Sequence, residues 1–297
     1  MKKLLVIGAS GLLGSKLMLY ATGRFDAVGT YNPAVDGMNH PSMYSLDIGS
    51  KEEVECIFER IQPEIIILTA AMTNLDACEA NPALAHIINA KGPEHVAGCC
   101  KRLNAKLLQV SSVYVFDGSK KGRYTEEDVP NPISVYAESK LAGERAISSV
   151  LSDFIIARPA VMYGWPPIKG KDNFVTTLID RLRSNQPAKL FDDQYASPTF
   201  SDDFARALLD LSLKDSCGIL NVSGPDCISR LTCGNIVAKV FNLDASLIVP
   251  VSYKTMPLPA KRPANACLDV SKVENLLKRK MVSFEEGVRI MMQQEKS

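Results

Sequence analysis

Lys3-Leu4-Leu5-Val6-Ile7-Gly8-Ala9-Ser10-Gly11-Leu12-Leu13-Gly14 lies almost at the start of the chain and constrains its architecture more than any other segment. Lys3 to Ile7 is a short apolar run, as a strand buried on both faces of a parallel sheet requires. Three glycines follow at the spacing G-x-x-G-x-x-G, and a helical pattern then runs through about Tyr20. Strand, glycine turn and helix in that order suit the pyrophosphate of a dinucleotide. Gly8 would permit the tight turn, Gly11 would let the backbone approach the phosphates, and Gly14 would let the helix pack close to the strand. The anion would rest on the helix N-terminus at Leu12 and Leu13, where free N–H groups and the helix dipole favour negative charge. Each glycine carries a conformational cost, which argues against a turn with no ligand.

Further along, strands are expected at 3–8, 26–31, 43–46, 64–69, 106–111 and 153–158, and helices near 11–22, 50–61, 82–103 and 134–150. This alternation predicts an α/β fold built on a doubly wound parallel sheet. Beyond Arg158-Pro159 the texture changes, with Trp165-Pro166-Pro167, Ser197-Pro198 and Gly224-Pro225 marking turns. The expected division is a dinucleotide-binding domain over 1–160, to which the chain returns near 218–222, and a smaller, mainly substrate-binding lobe over 161–297. Such a lobe would cover the carboxyl edge of the strands, where ligands of these sheets bind.

A chain of 297 residues can bury a substantial core. Lys+Arg 34 against Asp+Glu 33 leaves a net charge of +1 and no basic block, so no nucleic-acid partner is expected. Met1-Lys2-Lys3 leads straight into a strand and no apolar run reaches transmembrane length, so the expectation is a cytoplasmic protein with no membrane partner. His40, His86 and His95 show no metal-ligand spacing, and no metal is expected. The eight cysteines contain no Cys-x-x-Cys pair, and a core-rich chain of this length needs no cystine scaffold. Cys99 and Cys100 read as small buried apolar residues.

Tyr136 and Lys140 are spaced i, i+4, on one face of a helix. A free tyrosine, with a pKa near ~10, is a poor acid at neutral pH, and a neighbouring ammonium should lower it. Strand 106–111 ends in Ser111-Ser112, which sets a hydroxyl at the strand's carboxyl end, and Asn89 sits in the preceding long helix. Singly, Ser112 could cap a turn, Tyr136 could pack and Lys140 could be a solvated charge. Together, Ser112, Tyr136, Lys140 and Asn89 could bind a carbonyl oxygen, donate a proton and relay its replacement beside a hydride donor. Strand two ends Val28-Gly29-Thr30-Tyr31-Asn32, with no acid to hold a ribose 2′-hydroxyl. That removes a repulsion against a 2′-phosphate, while Ser10, Thr30 and Asn32 can donate hydrogen bonds. NADP(H) is therefore expected to be accepted at least as well as NAD(H).

Several segments carry a family resemblance. They are Ala70-Ala71-Met72-Thr73-Asn74-Leu75-Asp76-Ala77-Cys78-Glu79 running on to Ile88-Asn89-Ala90, Ser111-Ser112-Val113-Tyr114-Val115-Phe116-Asp117-Gly118, Asp193-Gln194-Tyr195-Ala196-Ser197-Pro198-Thr199 and Arg262-Pro263-Ala264-Asn265. With the glycine turn and the Ser112, Tyr136, Lys140 group, the chain resembles an extended short-chain dehydrogenase/reductase, within it the dTDP-4-dehydrorhamnose reductase group, over nearly its whole length. The resemblance implies a Rossmann-like fold and an NAD(P)H-dependent reductase of a nucleotide-linked 4-keto-6-deoxy sugar. It also implies roles. Ser112 would bond the substrate carbonyl, Tyr136 would protonate the developing alkoxide, Lys140 would hold the nicotinamide ribose, and Asn89 would anchor the proton relay. Asp47 and Ile48 would contact adenine, and Ala70, Ala71 and Met72 would line the nicotinamide ribose side. Thr73, Pro198, Thr199 and Arg262 would face the sugar nucleotide. By analogy, a homodimer would form through the helices at 82–103 and 134–150. Two positions depart from the pattern, with Ser112-Val113 in place of Thr-Asp and Val161 in place of a tryptophan. The regulatory beta subunit of methionine adenosyltransferase resembles the same family and gives the alternative, a non-catalytic binding partner. A sugar-nucleotide epimerase or dehydratase is the third reading, and a dehydratase would need an acid at Val113.

Overall fold

A computed structural model describes residues 1–36, 42–167, 172–256 and 258–296, so that His40 lies outside the described residues. The first half runs β1 (Lys3–Ile7), α1 (Leu12–Ala21), β2 (Asp26–Tyr31), α2 (Pro33–Asp36), β3 (Tyr44–Ser45), α3 (Lys51–Ile61) and β4 (Ile65–Leu68). It continues through α4 (Leu75–Ala80), α5 (Pro82–His86), a π-helical turn (Ile87–Lys91), α6 (Gly92–Leu103), β5 (Lys106–Val110), a 3-10 turn (Val113–Val115), α7 (Val135–Val150) and β6 (Phe154–Arg158). These strands and β11 (Gly218–Asn221) form a seven-stranded sheet in the order β11-β6-β5-β4-β1-β2-β3. Every pairing in it is parallel.

The unbroken apolar strands have the cause that period-2 geometry gives them. Leu4, Val6, Ile65, Ile67, Leu108, Val110, Ile155 and Ala157 face one core, closed by α1 and by α9 (Ser201–Ser212). Leu5, Ile7, Ile66, Leu68 and Leu107 face the other, closed by α3, α6 and α7. Strand order reverses between β1 and β4, and at that point the turns that follow them touch. Thr69 and Ala70 both donate backbone N–H bonds to the Ile7 carbonyl, at 2.9 and 3.0 Å.

After β6 the described strands run only two to four residues. The elements there are β7 (Ala160–Tyr163), α8 (Phe174–Arg183), β8 (Ala188–Phe191), β9 (Tyr195–Ala196) and β10 (Pro198–Phe200), then, beyond α9 and β11, β12 (Ile228–Ser229), α10 (Arg230–Phe241), β13 (Ile248–Val251), β14 (Asn265–Ala266), α11 (Ser271–Leu277) and α12 (Phe284–Glu295). A third core joins α8, α10 and α12 around Tyr163, Phe200 and Phe284. No helix among the described residues is long and apolar enough to cross a membrane.

Candidate active site

The three glycines of the opening turn have different jobs. Gly8 lies at φ +92°, and a Cβ there would sit 2.7 Å from Thr69 Oγ1 and 2.8 Å from the Ala70 nitrogen. A Cβ on Gly14 would run into the Gly8 carbonyl and stand 2.7 Å from Ala9 Cα. Both glycines are therefore needed for the chain to pack on itself. Gly11 is not, because its Cβ would meet only the Gly8 carbonyl, at 3.5 Å, an ordinary contact. Gly11 is also the N-cap of α1 and offers no side chain to the first-turn N–H groups of Leu12 and Leu13. A bare helix N-terminus with room kept over it fits a dinucleotide pyrophosphate.

Other residues expected to hold the cofactor are partly committed elsewhere. Thr30 is buried, and its hydroxyl accepts from Gly8 N at 3.4 Å, bracing the turn from inside. Asn32 Oδ1 accepts from Ala34 N at 3.0 Å, and Asp47 Oδ1 accepts from Gly49 N at 2.9 Å. Ile48 is buried beneath Gly92. Ser10 is buried on the turn itself, while Ala70, Ala71 and Met72 are half-buried just beyond β4.

The structure brings the four chemical residues together. Ser134 caps α7 by accepting from Ala137 N at 3.3 Å, and Val135 N donates to Glu79 Oε1 at 2.9 Å, which ties the start of α7 to α4. Tyr136 therefore enters buried, beside Cys78 and with the Tyr114 ring edge-on at 6.3 Å. Its phenol lies within reach of the Ser112 hydroxyl, which acts on it. Ser112 also caps the 3-10 turn, accepting from Tyr114 N at 3.2 Å. One turn along α7, Lys140 Nζ donates to the Val110 carbonyl at 2.7 Å. Asn89 Nδ2 donates to Ser139 Oγ at 3.0 Å, and Ser139 Oγ donates to the Tyr136 carbonyl at 2.8 Å.

The expected lowering of the phenol is not seen. Burial pushes Tyr136 up to about 12, against the lesser, opposite pull of the Ser112 hydroxyl. Burial likewise pulls Lys140 down to about 8, while the Glu144 carboxylate one turn away acts in the other direction. Taking a phenolate or an ammonium out of water costs more here than a single neighbour returns. The result is a neutral phenol poised to donate and, one turn along α7, an ammonium close to its titration point.

On the substrate side several predicted residues serve the fold. Thr199 is buried, and its hydroxyl donates to the Ala160 carbonyl at 2.5 Å and accepts from Ala160 N at 3.2 Å, stapling β10 to β7. Pro198 is buried beside it, with its carbonyl against Gly224. Thr73 is exposed. Arg262 Nη2 pairs with Asp76 at 3.1 and 3.2 Å, linking the segment before β14 to α4. Val113 turns its side chain into an apolar cluster with Val115, Phe116, Leu141 and Ala160. Val161 sits at φ +30°, a left-handed backbone that a β-branched residue adopts only under strain.

Sequence reasoning missed four features. The continuous helix expected over 82–103 is broken by the π turn that carries Asn89; Gly92-Pro93 was the available signal, since proline cannot supply the next backbone donor. Gly143 lets α7 close on that turn, because a Cβ there would collide with the Asn89 carbonyl. Ser111, Glu144 and Arg158 form a buried polar cluster behind Lys140. Cys227 and Cys267 form a disulfide that the reading of a chain needing no cystine scaffold did not anticipate; they come together because β12 and β14 flank β9 in one small sheet. Cys99 and Cys100 are buried thiols, as expected.

A Rossmann-like sheet with its glycine turn at the point of strand reversal, and a serine, tyrosine and lysine gathered at the adjoining strand end, defines a short-chain dehydrogenase/reductase. The family model described as RmlD substrate binding domain matches residues 1–297, and the chain belongs to that family. It is 32% identical over 287 residues to a dTDP-4-dehydrorhamnose reductase of Aggregatibacter actinomycetemcomitans, covering 92% of each chain. It is 30% identical over 299 residues to methionine adenosyltransferase 2 subunit beta of Rattus norvegicus, covering 97% of this chain and 86% of the relative. Among solved structures, dTDP-4-dehydrorhamnose reductase of Bacillus anthracis in complex with NADP superposes with a TM-score of 0.89 at 27% identity, over 99% of both chains.

Proposed function

We propose that the protein is an NADP(H)-dependent reductase of a dTDP-linked 4-keto-6-deoxy sugar. The observation that carries this reading is the burial of Tyr136 and Lys140 one turn apart on α7, with Ser112 acting on the phenol and Lys140 Nζ bonded to the Val110 carbonyl at the end of β5, in the same parallel sheet whose β1 runs into the turn of Gly8, Gly11 and Gly14. The relatives named as reductases support the substrate class, and the NADP complex of the B. anthracis protein supports the cofactor.

The first-turn N–H groups of α1 would hold the pyrophosphate, with Ser10, Leu12 and Leu13 around it, and Ala70, Ala71 and Met72 would line the ribose side. Asp47 and Ile48 would stand near adenine. When bound, the dihydronicotinamide supplies the hydride for the C4 carbonyl. Ser112 donates a hydrogen bond to the carbonyl oxygen and fixes its direction. Tyr136, kept protonated by burial, delivers its proton to that oxygen as negative charge develops. Lys140 offers a positive charge that offsets the phenolate left behind. Asn89 holds the π turn and Met72 in place beside the relay. Residues beyond β6 would form the substrate lobe, with Arg262 directed to the nucleotide phosphates and the buried Pro198-Thr199 segment supporting it from within. A homodimer through α5, α6 and α7 belongs to the same proposal, and light scattering reads it.

The test is nicotinamide absorbance with NADPH and a panel of nucleotide-linked keto sugars. Tyr136→Phe should cut turnover by about 10²- to 10⁴-fold and leave NADP(H) affinity nearly unchanged. Tight capture of another protein without any oxidation of NADPH supports instead the regulatory reading. Val113 favours that alternative, because it leaves no carboxylate beside the Ser112 hydroxyl.

A further inference from the structure

Lys140 is 2% exposed, and among the described residues its ammonium bonds only the uncharged Val110 carbonyl. A buried ammonium with only a neutral partner is costly. Glu144 lies one turn further along the same face of α7, at 3% exposure. It is held on every side. Ser111 Oγ donates to Glu144 Oε1 at 2.5 Å, Arg158 Nε donates to Oε1 at 2.9 Å, and Arg158 Nη2 donates to Oε2 at 2.5 Å. Arg158 is itself 1% exposed and stacks its guanidinium on the Phe116 ring at 5.1 Å.

We propose that Glu144 is a positioning residue that keeps Lys140 in its charged form, with Arg158 and Ser111 acting as the clamp that fixes its carboxylate one helical turn from the ammonium. The use of that charge in turnover rests on the reductase reading; the electrostatic coupling does not. The titratable and charged groups around Lys140 are Tyr136 and Glu144 on its own helix, Tyr114 and Cys78 facing Tyr136 from the 3-10 turn and α4, and Arg158 behind Glu144 on β6. Among the described residues Glu144 is the carboxylate that acts on the ammonium, and its pull opposes burial. The clamp spans Ser111 beyond β5, Glu144 on α7 and Arg158 closing β6, so it also fixes α7 against the two strand ends that border the site.

The experiment is a pH titration of ligand-free protein labelled with ε-¹³C lysine, with the Lys140 resonance assigned by its loss in Lys140→Met. Glu144→Gln should lower the Lys140 midpoint by about one pH unit or more, a tenfold change in its protonation equilibrium. Arg158→Met, which leaves the carboxylate in place, should not lower it. A role in folding alone would leave the midpoint untouched in both variants or lower it equally in both, and either result overturns the proposal. If Glu144→Gln strands the guanidinium and does not fold, the double variant Glu144→Gln with Arg158→Met leaves no buried charge unpaired. Its midpoint must then fall below that of Arg158→Met alone, and equal midpoints in those two variants again overturn the idea. With NADPH and sugar added, the alkaline limb of kcat/KM should move down with the midpoint. A midpoint that moves in a protein without turnover leaves this coupling standing and removes the reductase reading.

Discussion

Asn89 grips the peptide of Met72 by both edges, its Oδ1 accepting from Met72 N at 2.9 Å and its Nδ2 donating to Met72 O at 3.0 Å. The same Nδ2 reaches Ser139 on α7, so one buried amide fixes the turn after β4 to the helix that carries Tyr136 and Lys140. Asn89→Ala would leave buried polar groups unpaired, at a cost of about 1–3 kcal/mol. Its melting temperature should fall, and NADP(H) should bind more weakly in a fluorescence titration. An unchanged cofactor affinity would show that the turn after β4 does not depend on this grip.

Lys140 gives a prediction with a sign. The unfolded chain holds the lysine proton to its ordinary value of 10.5, while the folded chain releases it near 8. Between these values the unfolded state binds more protons, so the contribution of this group to stability rises with pH across that window. Below pH 8 the whole cost of the buried ammonium stands. Lys140→Met should therefore stabilise the protein at pH 7, by at most ~3 kcal/mol, less what the lost Val110 bond contributed. The gap should close by about pH 10.5, as read by denaturant unfolding at several pH values. A gap that widens with pH contradicts the argument.

The Cys227–Cys267 bond closes a loop of sequence separation 40. A loop of that length corresponds to about 4 kcal/mol in the chain-entropy account of cross-links. Alkylation of the unfolded, unreduced protein should label six of the eight cysteines. Reduction should lower the melting temperature, and Cys267→Ser should melt at the reduced value. Eight labelled cysteines in air-oxidised protein would refute the cross-link.

Arg262 and Asp76 form a part-exposed pair, the arginine side chain 21% and the aspartate 42% accessible. Such pairs contribute under about 1 kcal/mol to stability. Arg262→Ala should leave the melting temperature almost unchanged. If the arginine meets the nucleotide phosphates, KM for the sugar nucleotide should rise about tenfold or more with kcat preserved, the pattern of a lost uniform contact. A KM that does not change assigns Arg262 to the Asp76 contact alone.

Much of the architecture was legible because its signals are local. The run from Lys3 to Gly14 carries strand, turn and helix within one window, and the structure places β1 and α1 there within a residue or two of the expectation. Tyr136 and Lys140 were legible through helical spacing, and Ser112 through the end of β5. The hidden parts depend on residues far apart in sequence. Glu144 needs Arg158 from the next strand, and Cys227 needs Cys267 through a sheet whose strands are two residues long, too short to show a period. Thr199 was assigned to the sugar-nucleotide side through the family resemblance, and its spacing gave no sign that its hydroxyl bonds Ala160. The direction of the Tyr136 shift could not be read from spacing, since it is set by burial rather than by the neighbouring charge.

The π turn at Ile87–Lys91 has a bearing on length as well as shape. A helical residue advances by about 100°, so one surplus residue here swings everything downstream through that angle. Removing a single residue from this stretch would restore an even spiral and, in the same stroke, wheel the Asn89 amide out of reach of Met72 and Ser139. The gap of surplus backbone is thus a vernier: chains of this architecture can trade residues freely in their surface loops, but between His86 and Gly92 a one-residue deletion should preserve helicity by circular dichroism while unlocking the site.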